Sequence, residues 1–287
     1  MERLSLKARL WLLSWTLGNL MSESEVFIHS TATVHPKAQL EAGVRIGPYS
    51  YIGEKVKIRK NTKIEANVFI NGETEIGEAC FFSPFTSIGT EPQDITYHEE
   101  DTVVKIGDKN IFREFITVNR GTVKGGRQSI IGDNNYFMAY SHIAHDCIVG
   151  SETIFINGAT LGGHVIVDDC ATVGAFSGVH QFCRIGKHAF IGGFSVITQD
   201  VVPFCRVAGS RPSLFYGLNI VGLRRKGFSK ERIGDLKEMF KIIFYSDLNM
   251  AQSIDRIKES FAPGEDRDEI IHFIQSSKRG IIKKASE

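Results

Sequence analysis

The sequence predicts an all-β solenoid, a parallel β-helix of hexapeptide repeats followed by a helical segment. Two observations carry this: a large apolar residue at every sixth position, and small residues at fixed places around it. Stepping by six from Ile28 gives Val34, Leu40, Ile46, Ile52, Ile58, Ile64, Ile70, Ile76, Phe82 and Ile88. With apolar types at 42% of the chain, chance would fill such a column in a chosen frame less than about once in ten thousand tries. The frame resumes at Ile106, Phe112 and Val118, then runs unbroken in steps of six from Ile131 to Ile197.

An α-helix at 3.6 residues per turn cannot keep one face on a six-residue period, whereas short strands joined by tight corners can. Glycine follows the apolar slot at Gly47, Gly53, Gly77, Gly107, Gly132, Gly150, Gly162 and Gly186, and small residues such as Ser50, Thr62, Thr74 and Ser177 precede it by two. The apolar residue is expected to point into a triangular prism, with Gly or Asn helping the backbone around each corner. Three sides make a coil of eighteen residues, stacked on the next at strand spacing, about 4.8 Å.

Two stretches leave the frame, from Gly89 to Val104 and from Arg120 to Ser129. Insertions in a solenoid project as loops and commonly build the binding surface. After Pro203 the six-residue code stops and helical patterning begins. Ser229 is placed to cap a helix with Ile233, Leu236, Phe240, Ile243 and Phe244 on one face. Further helices are expected from about Asn249 to Phe261 and from about Asp266 to Lys278, with Gly280 as a stop. The expected organisation is an N-terminal extension over residues 1–25, a catalytic β-helix over 26–210 and a C-terminal α-helical domain over 211–287.

Within the extension, the apolar run from Leu10 to Leu20 is too short to span a bilayer and is broken by Ser14, Thr16, Gly18 and Asn19. No small-residue cleavage site follows it. Residues 1–20 therefore read as an upstream extension or a weak amphipathic helix, with Met21 as the natural start and no stable membrane insertion. A net charge of +1 gives no global field toward nucleic acid. From Arg211 onward, fifteen Lys/Arg face eleven Asp/Glu, so the C-terminal segment is the part suited to an acidic partner. Five cysteines without a CxxC pair point to buried free thiols in a reducing cytoplasm, not to disulfides or structural zinc.

The histidines carry the chemistry. One coil after His145 is position 163 and two coils after is 181; His164 and His180 each fall one residue from those marks, and Gln181 falls on the second. These side chains are expected to stack along one edge of the prism, with His142 three residues upstream on the first coil. Outward imidazoles titrate near neutral pH and act as general bases, and Asp146 is placed to orient one of them. Two chemistries fit: base-catalysed acyl transfer, and a zinc site. A third reading is a non-catalytic scaffold or binding protein. No phosphate-binding loop, dinucleotide motif or nucleophile elbow is present, so neither a cofactor nor a resident metal is expected.

The strings His142-Ile-Ala-His-Asp-Cys147, Gly163-His164, Val179-His-Gln-Phe-Cys183 and Gly222-Leu-Arg-Arg-Lys-Gly-Phe228 closely resemble the acyl-[acyl-carrier-protein]–UDP-N-acetylglucosamine O-acyltransferases. Gln93-Asp94 and Asn119-Arg-Gly-Thr122 also stand in that family's places, and the likeness runs from about Val26 to Ile282. The resemblance implies a left-handed β-helix, a homotrimer with active sites between subunits, and the first step of lipid A biosynthesis. It further implies His145 as general base, Asp146 as its acidic partner and the Gly163 amide as oxyanion donor. Asp94, His142, His164, His180 and Gln181 match residues that hold the sugar nucleotide or line the cleft. Asn219, Arg225 and Lys226 match positions around the nucleotide and its phosphates. Gly193 matches the position limiting acyl length, where a missing side chain leaves room for a longer 3-hydroxyacyl chain. The implied partners are UDP-N-acetylglucosamine and an acidic acyl carrier protein. The chain departs from the family at Thr96, where lysine is frequent, at Val221, where glutamate is common, and at Lys226, where arginine is usual. The alternatives are the same chemistry on the 3-amino sugar analogue, and a zinc carbonic anhydrase on the same fold.

Overall fold

A computed structural model describes residues 25–284, so the expectation for residues 1–20 lies outside the described residues. Two- to five-residue strands alternate with corners, and the strands gather into three sheets, parallel but for the last strand, that form the faces of a prism. Face 1 has eleven strands beginning at Phe27–Ile28, face 2 has nine beginning at Thr33–Val34, and face 3 has eight beginning at Gln39–Leu40. Within a face, each strand pairs with the one eighteen residues on, as Phe27 with Arg45 and Thr33 with Tyr51.

The apolar column points inward as its period requires. From Ile46 to Ile197 its members are buried, and Phe82, Phe112, Phe137 and Phe155 stack through the core with ring centroids 4.7–4.9 Å apart. Ile28 is exposed and Val34 and Leu40 are half-buried, because among the described residues no coil lies beneath the first one. The small residues before the slot bind the next coil: the hydroxyls of Ser50, Thr62 and Ser177 donate to the carbonyls of Glu65, Gly77 and Gly192 at 2.7–2.9 Å.

The expected reason for the glycines is corrected. The left-handed corner residue stands three places after the apolar slot and is mostly not glycine: Tyr49, Asn67, Phe85, Phe115, Tyr140, His164, Phe182 and Phe194 all have φ between 52° and 67°. None of the non-glycine corner residues is β-branched, the class least tolerant of positive φ. The glycines directly after the slot sit where coils approach most closely. A Cβ on Gly47 would lie 2.7 Å from the Glu65 carbonyl carbon.

Both insertions leave the prism at one edge. The first lies between Ser87–Thr90 on face 2 and Val103–Ile106 on face 3, and the second between Thr117–Asn119 and Gln128–Ile131 on the same two faces. Arg120 ties them together, donating to the Tyr97 hydroxyl at 3.0 Å and the Gly89 carbonyl at 2.9 Å.

The parallel ladder also outlasts Pro203, contrary to the expected stop. Cys205–Ala208 adds to face 1 beside Phe190–Ile191 and then pairs antiparallel with Leu214–Leu218, because the last coil still offers an open strand edge. Helix α1, Ile220–Arg225, follows and was not foreseen; helices α2, Lys230–Tyr245, α3, Met250–Ser260, and α4, Glu265–Gln275, match the helical periodicity. Ser229 caps α2 through the Arg232 amide, and Asn249 with Gln252 forms a reciprocal capping box on α3. Helix α4 ends three residues before Lys278. Phe215 stacks on Phe244 at 3.9 Å, packing α2 against the hairpin, and Asp200 N donates to Gly280 O, fastening the tail to the last coil. Cys80, Cys147, Cys183 and Cys205 are buried and Cys170 is half-buried, all as free thiols. No helix among the described residues is long and apolar enough to cross a membrane.

Candidate active site

The edge between faces 2 and 3 carries both insertions and, on the next three coils, the corners Ala144–Cys147, Gly162–Val165 and His180–Cys183. In this edge Asp146, His164 and Phe182 occupy the left-handed slot one above another, with φ of 60°, 61° and 67°. The one-residue offset of His164 from the eighteen-residue mark thus places it over Asp146, and its ring stacks on Phe182 at 4.5 Å. The expected stack of three polar side chains is therefore corrected. His180 sits two columns away, exposed, with Nδ1 3.1 Å from the Gln181 carbonyl, and the side chain completing the stack is Phe182.

His145 Nδ1 lies 2.8 Å from Asp146 Oδ2, and the Asp146 side chain is fully buried. This contact makes Nδ1 the protonated nitrogen and leaves Nε2 with a lone pair. His164 Nε2 is 3.7 Å from the same oxygen, and the two rings meet edge to face at 5.2 Å. The ligand atoms of His145, Asp146 and His164 lie within 4.8 Å of one another, so these three groups are also the set that could hold a metal ion.

Gly163 lies directly under the His145 imidazole. A Cβ there would sit 2.5 Å from Cε1 and 2.7 Å from Nε2, so any other residue would displace the ring. The coil-to-coil hydrogen bonds run from Gly162 N to Val179 O and from His164 N to His145 O, skipping the amide between them. The Gly163 N–H thus takes no part in the coil-to-coil ladder.

The electrostatics favour the neutral form of His142 and His164 and an ionised acid. Burial, followed by the charge of His145, pushes the His142 pKa down; its Nδ1 is 2.7 Å from the Thr117 hydroxyl. Burial also outweighs the attraction of Asp146 at His164 and lowers its pKa. For Asp146 burial acts upward, but hydrogen bonds from His145 and from the hydroxyl and amide of Thr122 bring its carboxyl below the usual range. Asp94, in the first insertion, accepts from the amide and hydroxyl of Thr96 at 2.8 and 2.9 Å, which lower its pKa. Lys124 Nζ donates to that same Thr96 hydroxyl at 2.8 Å.

The C-terminal part of the chain matches a family model described as UDP N-acetylglucosamine O-acyltransferase, domain 2, over residues 200–282, and residues 128–163 match bacterial transferase hexapeptide (six repeats). An acyl-[acyl-carrier-protein]–UDP-N-acetylglucosamine O-acyltransferase of Thermodesulfovibrio yellowstonii is 48% identical over 89% of this chain and 99% of its own length. The protein of the same name from Anaeromyxobacter dehalogenans is 42% identical over the same shares. The chain belongs to the UDP-N-acetylglucosamine O-acyltransferase family. The solved UDP-N-acetylglucosamine acyltransferase of Campylobacter jejuni superposes with a TM-score of 0.86 at 37% identity, covering 91% of this chain and 100% of that one. That of Francisella novicida gives 0.87 at 37% identity, covering 91% and 95%. The fold is accordingly a left-handed parallel β-helix with a C-terminal helical part.

Not all residues that the acyltransferase resemblance singles out meet on this edge. Gly193 lies beside Phe194 on the edge between faces 1 and 2, exposed, where a Cβ would come within a tight 3.3 Å of the Ala175 carbonyl oxygen. Asn219 and Lys226 lie against the third edge: Asn219 Nδ2 donates to the His188 carbonyl at 3.0 Å while its Oδ1 caps α1 through the Gly222 amide, and Lys226 pairs with Glu152. Arg225 is exposed at the end of α1. Sequence reasoning missed Thr122, Lys124, Gly125 and Phe182 as parts of the site. Thr122 belongs to a string noted for its likeness and to a segment noted as an insertion, but nothing local in the sequence ties it to Asp146.

Proposed function

We propose that the chain moves a 3-hydroxyacyl group from acyl carrier protein to the 3-hydroxyl of UDP-N-acetylglucosamine, the first step of lipid A biosynthesis. The observation that carries this is the His145–Asp146 pair, with Nδ1 bonded to a buried carboxylate and the ring packed closely over Gly163. Nε2 takes the proton of the sugar hydroxyl as its oxygen bonds to the thioester carbonyl carbon. The Gly163 N–H donates to the oxyanion that forms, a contact of the kind worth about 3 kcal/mol of barrier. The carbon–sulfur bond then breaks, and the imidazolium returns its proton to the departing thiolate.

His142, His164, His180 and Gln181 line the cleft on this edge, and Asp94 with Lys124 forms its rim toward the sugar nucleotide. Asn219, Arg225 and Lys226 serve the nucleotide and its phosphates, for which guanidinium and ammonium groups are suited. Because these residues and Gly193 lie on other edges of the protomer, their roles require neighbouring copies, and we place the site between subunits of a homotrimer. Gly193 of one copy then bounds the acyl chain reacting at His145 of the next, leaving room for a long chain. Residues 26–210 supply catalysis, and the basic segment 211–287 receives the acidic carrier protein, in the cytoplasm. The amino-sugar and zinc readings gain no support, since the relatives compared are named as O-acyltransferases of UDP-N-acetylglucosamine.

The test is incubation with 3-hydroxyacyl-carrier proteins of several chain lengths and UDP-N-acetylglucosamine, with products identified by mass spectrometry. An ester at the sugar hydroxyl is expected, and absence of any acylated sugar would reject the reading. Sedimentation of a monomer at assay concentrations would reject the intersubunit site.

A further inference from the structure

Asp146 owes its surroundings to a segment about two dozen residues earlier in the chain. The Thr122 amide donates to Oδ1 at 2.8 Å and its hydroxyl to Oδ2 at 2.7 Å. Gly125 approaches so closely that a Cβ there would lie 2.0 Å from the Asp146 carboxyl carbon. Both belong to the second insertion, which the solenoid itself does not need: the same edge closes in four residues between His142–Ile143 and Ile148–Val149. The residues that break the six-residue period are the ones that enclose the carboxylate.

We propose that Thr122 is a positioning residue for acyl transfer, holding Asp146 so that it serves His145, with Gly125 providing the space. The proposal rests on the acyl-transfer reading above. Asp146 Oδ2 has two imidazoles within reach, His145 Nδ1 at 2.8 Å and His164 Nε2 at 3.7 Å. A carboxylate held only through its backbone can turn about the Cβ–Cγ bond and exchange one imidazole for the other. Thr122 removes that freedom, because its amide fixes Oδ1 and its hydroxyl fixes the plane in which Oδ2 lies. With Oδ1 satisfied, Oδ2 faces Nδ1 of His145, and the tautomer with a basic Nε2 is kept.

The test is steady-state kinetics of the full chain with 3-hydroxyacyl-carrier protein and UDP-N-acetylglucosamine for wild type, Thr122→Val, Thr122→Ser and Gly125→Ala. Thr122→Val keeps the volume and the amide but loses the hydroxyl. Its kcat is expected to fall about tenfold to a hundredfold, the range typical of outer partners that orient a reactive side chain. Both KM values should stay within about threefold of wild type, since ground-state binding is not what is lost. Thr122→Ser should recover most of kcat, and Gly125→Ala should reproduce the loss by pushing the carboxylate aside. A Thr122→Val enzyme with wild-type kcat, a loss confined to KM, or a Ser variant as impaired as the Val variant would overturn the proposal. Should Thr122→Val fail to fold in a thermal melt, a folded Gly125→Ala enzyme with wild-type kcat overturns it equally. An inactive wild type removes the acyl-transfer reading and this proposal together, whereas an active wild type with an unimpaired Val variant removes the proposal alone.

Discussion

Two edges of the prism share one backbone and do different work. On the edge between faces 1 and 2, the left-handed slot holds Phe85, Phe115 and Tyr140 in a stack at 4.9–5.0 Å, then Phe176 and Phe194 at 5.4 Å. On the edge between faces 2 and 3, the same slot holds Asp146, His164 and Phe182, and the two insertions precede them. The corner geometry is indifferent to which is present. It fixes only that successive slots lie one coil apart, the spacing at which aromatic rings stack and at which an imidazole reaches a carboxylate. Chemistry enters this fold through the identity of the slot residue and through what the loops bring against it.

The largest effect that would break the comparison is at the reactive edge. His145→Ala is expected to lower kcat/KM for acyl transfer about a thousandfold, within the range of general-base loss, while sedimentation and melting stay unchanged. Near-wild-type turnover would remove His145 from the mechanism. Gly163→Ala should follow with a loss of about a hundredfold, since the added carbon lands 2.5 Å from the His145 ring and moves the base off its line. The kinetics of the purified variant decide it, and unchanged kcat would mean that the ring position is not critical.

A smaller effect comes from the third edge, where a titratable group sits in aromatic surroundings. His188 stacks on Phe204 at 5.7 Å and meets Phe228 edge-on at 5.1 Å. Burial, then the charges of Lys187, Lys226 and Arg232, pushes its pKa down to about 4 from 6.5. Between those values the unfolded chain binds the proton and the folded chain does not. Stability is therefore complete above pH 6.5 and lost as pH falls toward 4, by about 3 kcal/mol. His188→Phe, which the slot accepts at Phe182 and Phe204, should shrink the difference in melting temperature between pH 7 and pH 4.5. An unchanged difference would show that His188 does not drive acid lability. The smallest effect is expected at Phe115, half-exposed in the aromatic stack. Phe115→Asn keeps a residue tolerant of positive φ and should cost about 1 kcal/mol in denaturant unfolding with kcat unaltered. A large loss of activity would mean that the aromatic stack around Phe115 also bears on the acyl-transfer site.

The repeat and the helices were legible because their signals are local. An apolar slot every six residues can be read without knowing what any coil touches, and so can the caps Ser229 and Asn249 and the helical stripe through Ile233, Leu236 and Phe240. The nearness of His145 and His164 was legible because eighteen residues make one coil, so a distance in sequence became a distance along an edge; Gly163 was singled out only by the family resemblance. The glycine after the slot was legible in position but not in cause: the period shows that it recurs, and only packed coils show that it yields room to the strand above.

By itself, then, the sequence determined the prism, the length of its coils, the helical character of its end and the gathering of His145, Asp146 and His164 on one edge. The tertiary structure alone decided that both insertions emerge on the reactive edge, that Phe182 rather than His180 completes the stack, and that Thr122 and Gly125 enclose Asp146. It also decided that Gly193, Asn219 and Lys226 lie on other edges. The physical reason is that insertions twelve and seven residues long break the count by which position is read along the chain. Contacts across those breaks follow from side-chain volume and hydrogen bonding between distant segments, which no period records.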